Sequence, residues 1–334
     1  MTQQGELKDG LRRTLYTNPV LDLDFPDSAV LLAPDGSYYA YATQTVTDRG
    51  ATNIQVARSR DLVRWEYLGD ALPEKPRWAS ETQDFWAPHV IERDGTYYMF
   101  YCANPDTREG LCLAVATARA PEGPFVDCGE PLCPGPGFVN IDPMPFDDPA
   151  TGKLLLYWGS GFGPIKVREL AQDRLHFAPG SEAVDLIFPN PHYPYERLVE
   201  GIWVVLRGGY YYAFFSGDNC CGDDAHYAVM VARSRSATGP FETLAEATGA
   251  PSSAILQLNE LWLAPGHVSV ITDAAGEDWL VYHAIDTRNR HVPGTDLTRR
   301  PMLIDRLTYR DGWPRMAGGD TPSTTQQPGP VVRA

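Results

Sequence analysis

The sequence is poor in basic side chains, and this shortage argues against two broad classes of function. Lysine and arginine together number 28 against 43 aspartates and glutamates, which gives the 334-residue chain a formal net charge of −15. A protein that binds the phosphate backbone of a nucleic acid needs a basic surface, and an anionic membrane attracts basic segments in the same way. We therefore expect neither nucleic acid nor membrane among the partners of this chain.

The sequence also lacks long apolar runs. No stretch approaches the roughly 20 apolar residues of a membrane span, and the N-terminal sequence MTQQGELK contains no apolar core of a secretory signal. This absence predicts a cytoplasmic protein, or a secreted one if the sequence is a fragment of a longer chain. We further expect a monomer that needs no organic cofactor.

Cysteine is scarce, with six residues in the whole chain. No two of them are spaced as C-x-x-C and no histidine cluster lies near them, which argues against a structural zinc site. Adjacent Cys220 and Cys221 allow either a vicinal disulfide or two reduced, buried thiols. We expect the thiols, because a reducing cytosol keeps cysteines reduced.

Turn-forming and aromatic residues are abundant and repeat along the chain. The sequence holds 30 glycines, 29 prolines, 17 tyrosines, 12 phenylalanines and 8 tryptophans, a composition typical of many short strands. Five segments, in each of which a turn leads into aromatic or other apolar residues, recur at intervals of roughly 60 residues. They are residues 35–41, 94–101, 152–158, 208–215 and 277–283. Five such units predict an all-β fold, a five-bladed β-propeller with four strands in each blade.

The same pattern suggests a division of the chain into three parts. Residues 17–320 form the predicted propeller and catalytic domain. Residues 1–16 precede it as an N-terminal arm, within which residues 6–15 are expected to be a short helix or an extended arm. Residues 321–334 are polar and rich in proline, and they are expected to be a tail.

The innermost strand of each propeller blade lines the central axis, and it lies about a dozen residues before an anchor residue within each repeated segment. These anchors are Tyr39, Tyr98, Leu155, Tyr211 and Leu280. The residues at the inner-strand position are Asp27, Trp86, Asp142, Glu200 and His267. A core that serves only folding rarely places three carboxylates and a histidine there, because unpaired buried charges are costly. Three converging carboxylates suit glycoside hydrolysis, in which one activates water, one protonates the leaving oxygen and a third keeps the acid protonated.

The motifs around these positions resemble those of the family 43 glycoside hydrolases over roughly residues 17–315. The motifs are Asp24-Phe25-Pro26-Asp27, Trp86-Ala87-Pro88, Ile141-Asp142-Pro143, Val199-Glu200-Gly201, Gly266-His267 and Asp311-Gly312-Trp313-Pro314. The resemblance implies a five-bladed propeller and an inverting enzyme. Asp27 then matches the general base, Asp142 the residue that modulates the pKa of the acid, and Glu200 the general acid.

The resemblance also implies other binding residues. His267 matches an axial histidine that in many members binds a calcium or similar ion, although a lone histidine is otherwise more often a hydrogen-bonding core residue. Trp86 is expected to stack on a sugar ring or, alternatively, to wedge into the core. Arg300 resembles an arginine that some members direct at the substrate, and the alternative is a solvated basic patch with Arg290 and Arg299.

The predicted function is the release of α-L-arabinofuranosyl residues from arabinan-type oligosaccharides or polysaccharides by an inverting mechanism. A β-xylosidase is the alternative within the same family. A sugar-binding propeller without turnover is a second alternative, but it does not need both Asp27 and Glu200. A fructan-active propeller is a third, and the Asn-Asp-Pro-Asn-Gly type of motif that carries its nucleophile is missing here.

Overall fold

The strands are arranged in five successive antiparallel sheets of a β-propeller, as the repeat predicts. A computed structural model describes residues 5–7, 10–47 and 50–333 of the chain. Each blade contains four strands that pair in chain order, so the prediction of a five-bladed all-β propeller is confirmed. Helices among the described residues are short, and none of them is long and apolar enough to span a membrane.

The first two blades follow two N-terminal strands, β1 (Gly5–Leu7) and β2 (Leu11–Tyr16). Blade 1 contains β3 (Ala29–Leu32), β4 (Tyr38–Ala42), the small hairpin of β5 (Thr45–Thr47) and β6 (Gly50–Thr52), β7 (Gln55–Ser59) and β8 (Trp65–Asp70). A 3-10 turn at Arg77–Ala79 leads into blade 2, which contains β9 (Phe85–Arg93), β10 (Thr96–Ala103), β11 (Cys112–Ala118) and β12 (Val126–Asp127).

The remaining blades continue the same order. Blade 3 contains β13 (Met144–Asp147), β14 (Leu154–Trp158), β15 (Ile165–Glu169) and β16 (Val184–Ile187). Blade 4 contains β17 (Val199–Arg207), β18 (Tyr210–Asn219), β19 (His226–Ser234) and β20 (Glu242–Thr243), followed by the short helix α1 (Leu244–Thr248) and β21 (Ala254–Leu256), which also pairs with β19. Blade 5 contains β22 (Trp262–Thr272), β23 (Asp278–Asp286), β24 (Met302–Arg310) and β25 (Trp313–Met316), and β26 (Gln327–Arg333) ends the described chain.

Turn chemistry explains why the repeated segments fold as hairpins. In blade 2 the turn between the first two strands places Asp94 at φ 52° and Gly95 at φ 73°. In blade 4 the same turn uses Gly208 at φ 56° and Gly209 at φ 77°. Positive φ at both central residues is the requirement of the type I′ turn, whose twist matches that of paired strands. Aromatic residues after these turns, such as Tyr101 and Phe214, are fully buried between blades.

The N-terminal segment is extended rather than helical, and the C-terminal segment also forms a strand. The described residues there form a three-stranded sheet in the order β1, β2, β26, with Leu11 opposite Arg333. This pairing satisfies backbone groups of both ends, and the buried Asn18 side chain bonds to Asp305 of blade 5. Residues 1–4, 8–9 and 334 lie outside the described residues.

The topology gathers the beginnings of the inner strands at one end of the propeller. The second strand of each blade runs antiparallel to the inner strand, so it returns to that same end, as Val199 of β17 opposite Gly217 of β18 illustrates. The loops that follow the second strands therefore surround the axis at this end.

Candidate active site

The predicted axial residues lie at or close to the beginnings of the inner strands. Asp27 and Asp142 lie two residues before β3 and β13 begin, whereas Glu200 is the second residue of β17 and His267 lies within β22. Asp27, Asp142 and His267 line one small axial cavity. These three residues have left-handed backbone conformations, with φ of 59°, 62° and 49°. Such conformations cost about 1–3 kcal/mol each for residues other than glycine and are concentrated at functional sites.

Nitrogen and hydroxyl groups surround the carboxylate of Asp27. Its Oδ1 lies 3.2 Å from Nη1 of Arg300 and 3.3 Å from Nδ1 of His267. Its Oδ2 accepts a 2.6 Å hydrogen bond from the hydroxyl of Thr43. Both oxygens are therefore held in place before any substrate binds, and the nearby cation favours the ionised form.

His283 fixes the backbone of Asp27. The ring is fully buried, and the N–H of Asp27 donates to its Nδ1 at 3.1 Å. Burial lowers the pKa of His283 to about 4, so the ring is neutral near pH 7. Its Nδ1 also lies 3.3 Å from Oδ1 of Asp27. A hydrogen bond at this backbone N–H supports the left-handed turn that aims the carboxylate at the axis.

Asp142 and Glu200 lie side by side. The N–H of Gly201 donates to Oδ2 of Asp142 at 2.9 Å. This bond connects the loop before blade 3 to the inner strand of blade 4. Oε2 of Glu200 accepts a 2.5 Å hydrogen bond from the hydroxyl of Ser160, and its Oε1 accepts a 2.8 Å bond from Tyr227. A side chain at Gly201 is disfavoured, because its backbone has a φ of 59° and a Cβ would lie within a tight 3.3 Å of the ring of His267.

The three carboxyl groups differ in the direction of their pKa changes. Burial alone raises the pKa of Asp27, but Arg300 and then His267 outweigh this effect and hold it well below its ordinary value. Burial raises the pKa of Asp142 well above its ordinary value, and the charges of Glu200 and Asp27 raise it further. Burial also raises the pKa of Glu200, against the hydrogen bonds from its two hydroxyl donors. The site thus combines an ionised carboxylate, Asp27, with two carboxyl groups, Asp142 and Glu200, whose raised pKa values favour the protonated form.

Several residues of the site were not predicted from the sequence. They are Thr43, Ser160, Tyr227 and His283, which contact the carboxylates from second and third strands or from the loops beyond them. His283 carries a usable signal, since it directly follows the buried apolar run of the fifth repeat. The others are ordinary hydroxyl side chains, and nothing in the local sequence distinguishes them.

The two predicted substrate-binding residues differ in their surroundings. Arg300 is not part of a solvated patch, since its side chain is 13% exposed and its guanidinium contacts Asp27. Its backbone N–H also donates to Asp24 at 2.9 Å. Trp86 is half-buried and packs against a cluster between blades 2 and 3 that includes Ile141. Binding of a sugar by either residue stays a prediction.

The donor set around His267 does not by itself form a calcium site. Ca²⁺ takes 6–8 oxygen ligands, whereas within the described ranges no three His, Cys, Asp or Glu side chains are grouped so that they could hold a metal. Nδ1 of His267 instead faces the carboxylates of Asp27 at 3.3 Å and Asp142 at 3.9 Å. Calcium at His267 stays a prediction, and the reaction proposed for the carboxyl groups involves no metal ion.

The expectation of reduced, buried thiols at Cys220 and Cys221 is wrong. The two residues are joined in a vicinal disulfide, and both are half-buried. They lie in the loop between β18 and β19, where Cys220 packs against the cluster of Tyr227, Ala264 and Ile285. The sequence is compatible with either thiols or a disulfide at these two cysteines, because their neighbouring positions do not reveal the redox environment of the protein.

Comparison with known proteins agrees with this geometry. The sequence is 29% identical to a β-D-galactofuranosidase from Aspergillus niger over 92% of this chain and 86% of that protein. It is 28% identical to a protein named probable arabinan endo-1,5-α-L-arabinosidase D from Emericella nidulans, over 91% of this chain and 85% of that one. The crystal structure of a thermostable family-43 glycoside hydrolase superimposes with a TM-score of 0.75 at 29% identity, covering 94% of this chain and 99% of the other.

The family profile described as "Glycosyl hydrolases family 43" matches residues 16–314, which include all five blades and each predicted axial residue. A match over most of the chain, together with a propeller whose axis carries three carboxyl groups, identifies the protein as a glycoside hydrolase. The chain belongs to glycosyl hydrolase family 43.

Proposed function

We propose that the protein is an inverting glycoside hydrolase that releases α-L-arabinofuranosyl residues from arabinan-type oligosaccharides or polysaccharides. The observation that carries this proposal is the convergence of three carboxyl groups at one end of the axis, with the Arg300 guanidinium 3.2 Å from Asp27 and two hydroxyl donors on Glu200. These neighbours hold the pKa of Asp27 low, whereas burial raises the pKa of Glu200. Two carboxyl groups with separated pKa values supply a base and an acid at the same pH. Relatives named for arabinan and galactofuranoside hydrolysis support a furanoside as the substrate.

In the proposed reaction a water molecule attacks the anomeric carbon while the glycosidic bond breaks. Asp27 accepts a proton from the water as the new carbon–oxygen bond forms. Glu200 donates its proton to the glycosidic oxygen, which leaves as a neutral alcohol. Asp27 ends protonated and Glu200 ionised, and exchange of protons with solvent restores both. The attack from the opposite face inverts the anomeric configuration.

The neighbouring residues position these two groups. Thr43 and Arg300 hold the two oxygens of Asp27, so the carboxylate does not rotate away from the water. Asp142 is anchored on the N–H of Gly201, directly beside Glu200, and its proposed role is to keep the acid protonated until the substrate binds. Arg300 is also proposed to contact the sugar.

Leaving-group dependence tests the roles of Asp27 and Glu200. A sugar alkoxide leaves poorly without a proton, whereas a nitrophenolate leaves nearly unassisted. General acid catalysis contributes about 10²–10⁴-fold, so Glu200→Ala should lose this factor on an arabino-oligosaccharide and much less on the nitrophenyl α-L-arabinofuranoside. Asp27→Ala should lose activity on both substrates alike, because each needs an activated water. The measurement is kcat/KM, with thermal melting as the control for folding.

The opposite pattern, with the leaving-group dependence at Asp27, would reverse the two roles. A substrate panel of aryl α-L-arabinofuranoside, β-D-xyloside and β-D-galactofuranoside, beside debranched arabinan, tests the choice of sugar. NMR of the first product should show the β-anomer from the α-arabinofuranoside, and a retained anomer would exclude inversion. Binding without turnover of any of these substrates would favour the non-catalytic propeller.

A further inference from the structure

Two exposed phenylalanines lie in contact at the edge of the candidate active site, on the side of blade 3. Phe162 is 66% exposed and Phe138 is 37% exposed. Their rings meet edge to face, with centroids 6.3 Å apart and an angle of 68° between the planes. Single exposed apolar residues are common on protein surfaces, whereas two exposed aromatic rings in contact offer a joint apolar surface to a ligand.

The two loops that carry these rings are locked together. A Cβ on Gly161 would lie 3.1 Å from the backbone nitrogen of Val139 and 3.2 Å from its Cα, so the two loops pack closely here. The N–H of Gly159 donates to the carbonyl of Ile141 at 3.1 Å. Phe162 itself has a left-handed backbone, with φ of 64°. An exposed, non-glycine residue held in this costly conformation indicates that the direction of its ring matters.

The same two loops reach the catalytic carboxyl groups. Ser160, whose buried hydroxyl donates to Oε2 of Glu200, lies two residues before Phe162. Two residues span at most about 7 Å of chain, which places Phe162 close to Glu200. The loop that carries Phe138 continues directly into Asp142. The aromatic pair therefore lies on the acid side of the site, opposite the groups that hold Asp27.

We propose that Phe138 and Phe162 form the binding subsite for the sugar unit that leaves with the protonated oxygen. This proposal depends on the proposed function, because it takes Glu200 as the acid. The acid must lie within hydrogen-bond reach of the glycosidic oxygen, so the ring attached to that oxygen lies above the loops of blade 3. The apolar C–H face of a glycosyl unit suits two exposed aromatic rings, which give it contact area at a low entropic cost.

The test compares a disaccharide with the methyl glycoside of the same sugar, using whichever sugar of the substrate panel wild-type protein hydrolyses. Both substrates have an alkoxide leaving group, but only the disaccharide places a ring over Phe162. Phe162→Ala should lower kcat/KM for the disaccharide about tenfold, the scale expected for losing one apolar contact surface. It should change kcat/KM for the methyl glycoside less than about twofold, and Phe162→Trp should retain the preference for the disaccharide.

Phe138→Ala should also lower kcat/KM more for the disaccharide than for the methyl glycoside, but by a smaller factor than Phe162→Ala, because this ring is less exposed. Leu32→Ala is the matched control, since Leu32 is 47% exposed and ends the inner strand β3 away from the site. Equal losses on both substrates would make the pair a structural element, and unchanged kinetics on the disaccharide would exclude the subsite. If wild-type protein hydrolyses no glycoside of the panel, the proposed function fails and the subsite fails with it.

Discussion

A buried carboxyl group outside the catalytic site should make the stability of the protein depend on pH. Glu196, in the loop between β16 and β17, is 1% exposed, and its Oε1 has no hydrogen-bond partner within the described residues. Burial, aided by the charge of Glu246 and opposed by a hydrogen bond from Ser253, raises its pKa from 4.5 to about 7. The neutral acid is thus the form that the fold accommodates.

The sign and size of this pH dependence follow from the difference between the pKa of Glu196 in the folded chain and in the unfolded chain. Between pH 4.5 and about 7 the unfolded chain has lost the proton of this side chain while the folded chain retains it. The free energy of unfolding therefore falls by about 1.4 kcal/mol for each pH unit, or at most about 3 kcal/mol over the interval. Above that range the group is ionised in both states, and the loss is complete.

Urea denaturation of wild-type protein and Glu196→Gln between pH 4.5 and 8 measures this contribution. Other titrating groups cancel in the difference between the two proteins, so Glu196→Gln should gain up to about 3 kcal/mol relative to wild type as the pH rises. Glu130→Gln, which removes the same charge from an exposed position, should show no such gain. Parallel curves for wild type and Glu196→Gln would refute the reasoning.

Two further predictions concern the catalytic carboxyl groups. Tyr227→Phe removes a hydrogen bond that lowers the pKa of Glu200, so the alkaline limb of the kcat/KM profile should move to higher pH; a move to lower pH would contradict the role of Glu200 as acid. The predicted calcium at His267 should stabilise the fold, so exhaustive chelation should lower Tm in wild type and leave His267→Ala unaffected. An unchanged wild-type Tm would leave His267 as a partner of Asp27 only.

The sequence predicted the architecture because the information for each blade is local. A turn such as Asp94-Gly95 and the buried strand after it form one hairpin, and five hairpins at regular intervals leave few folds to choose from. The pairing of β2 with β26 was not predictable in this way. It joins residues near opposite ends of the chain, and neither strand has a local signal for its partner.

The site was predictable to the extent that it lies on the repeat. The positions of Asp27, Asp142 and Glu200 follow from their spacing before the repeated segments. Ser160 reaches Glu200 from a loop of blade 3, and Tyr227 reaches it from the third strand of blade 4, to which Glu200 also belongs, so these contacts depend on packing between blades and between strands. Spacing along the chain does not encode that packing, and a hydroxyl residue in a turn or strand is too common to identify alone.

The division of labour between Asp27 and Glu200 arises from the elements around them rather than from the carboxyl groups themselves. Asp27 is buried and Glu200 is half-buried, and removal from water alone disfavours the charged form of each. Asp27 lies beside the guanidinium of Arg300, which belongs to the loop before β24, and this cation reverses the effect of burial. Glu200 receives only neutral hydroxyl donors, which reduce the effect of burial without reversing it. The placement of Arg300 and His267 beside Asp27 thus suits this carboxyl group to be the base and leaves Glu200 suited to be the acid.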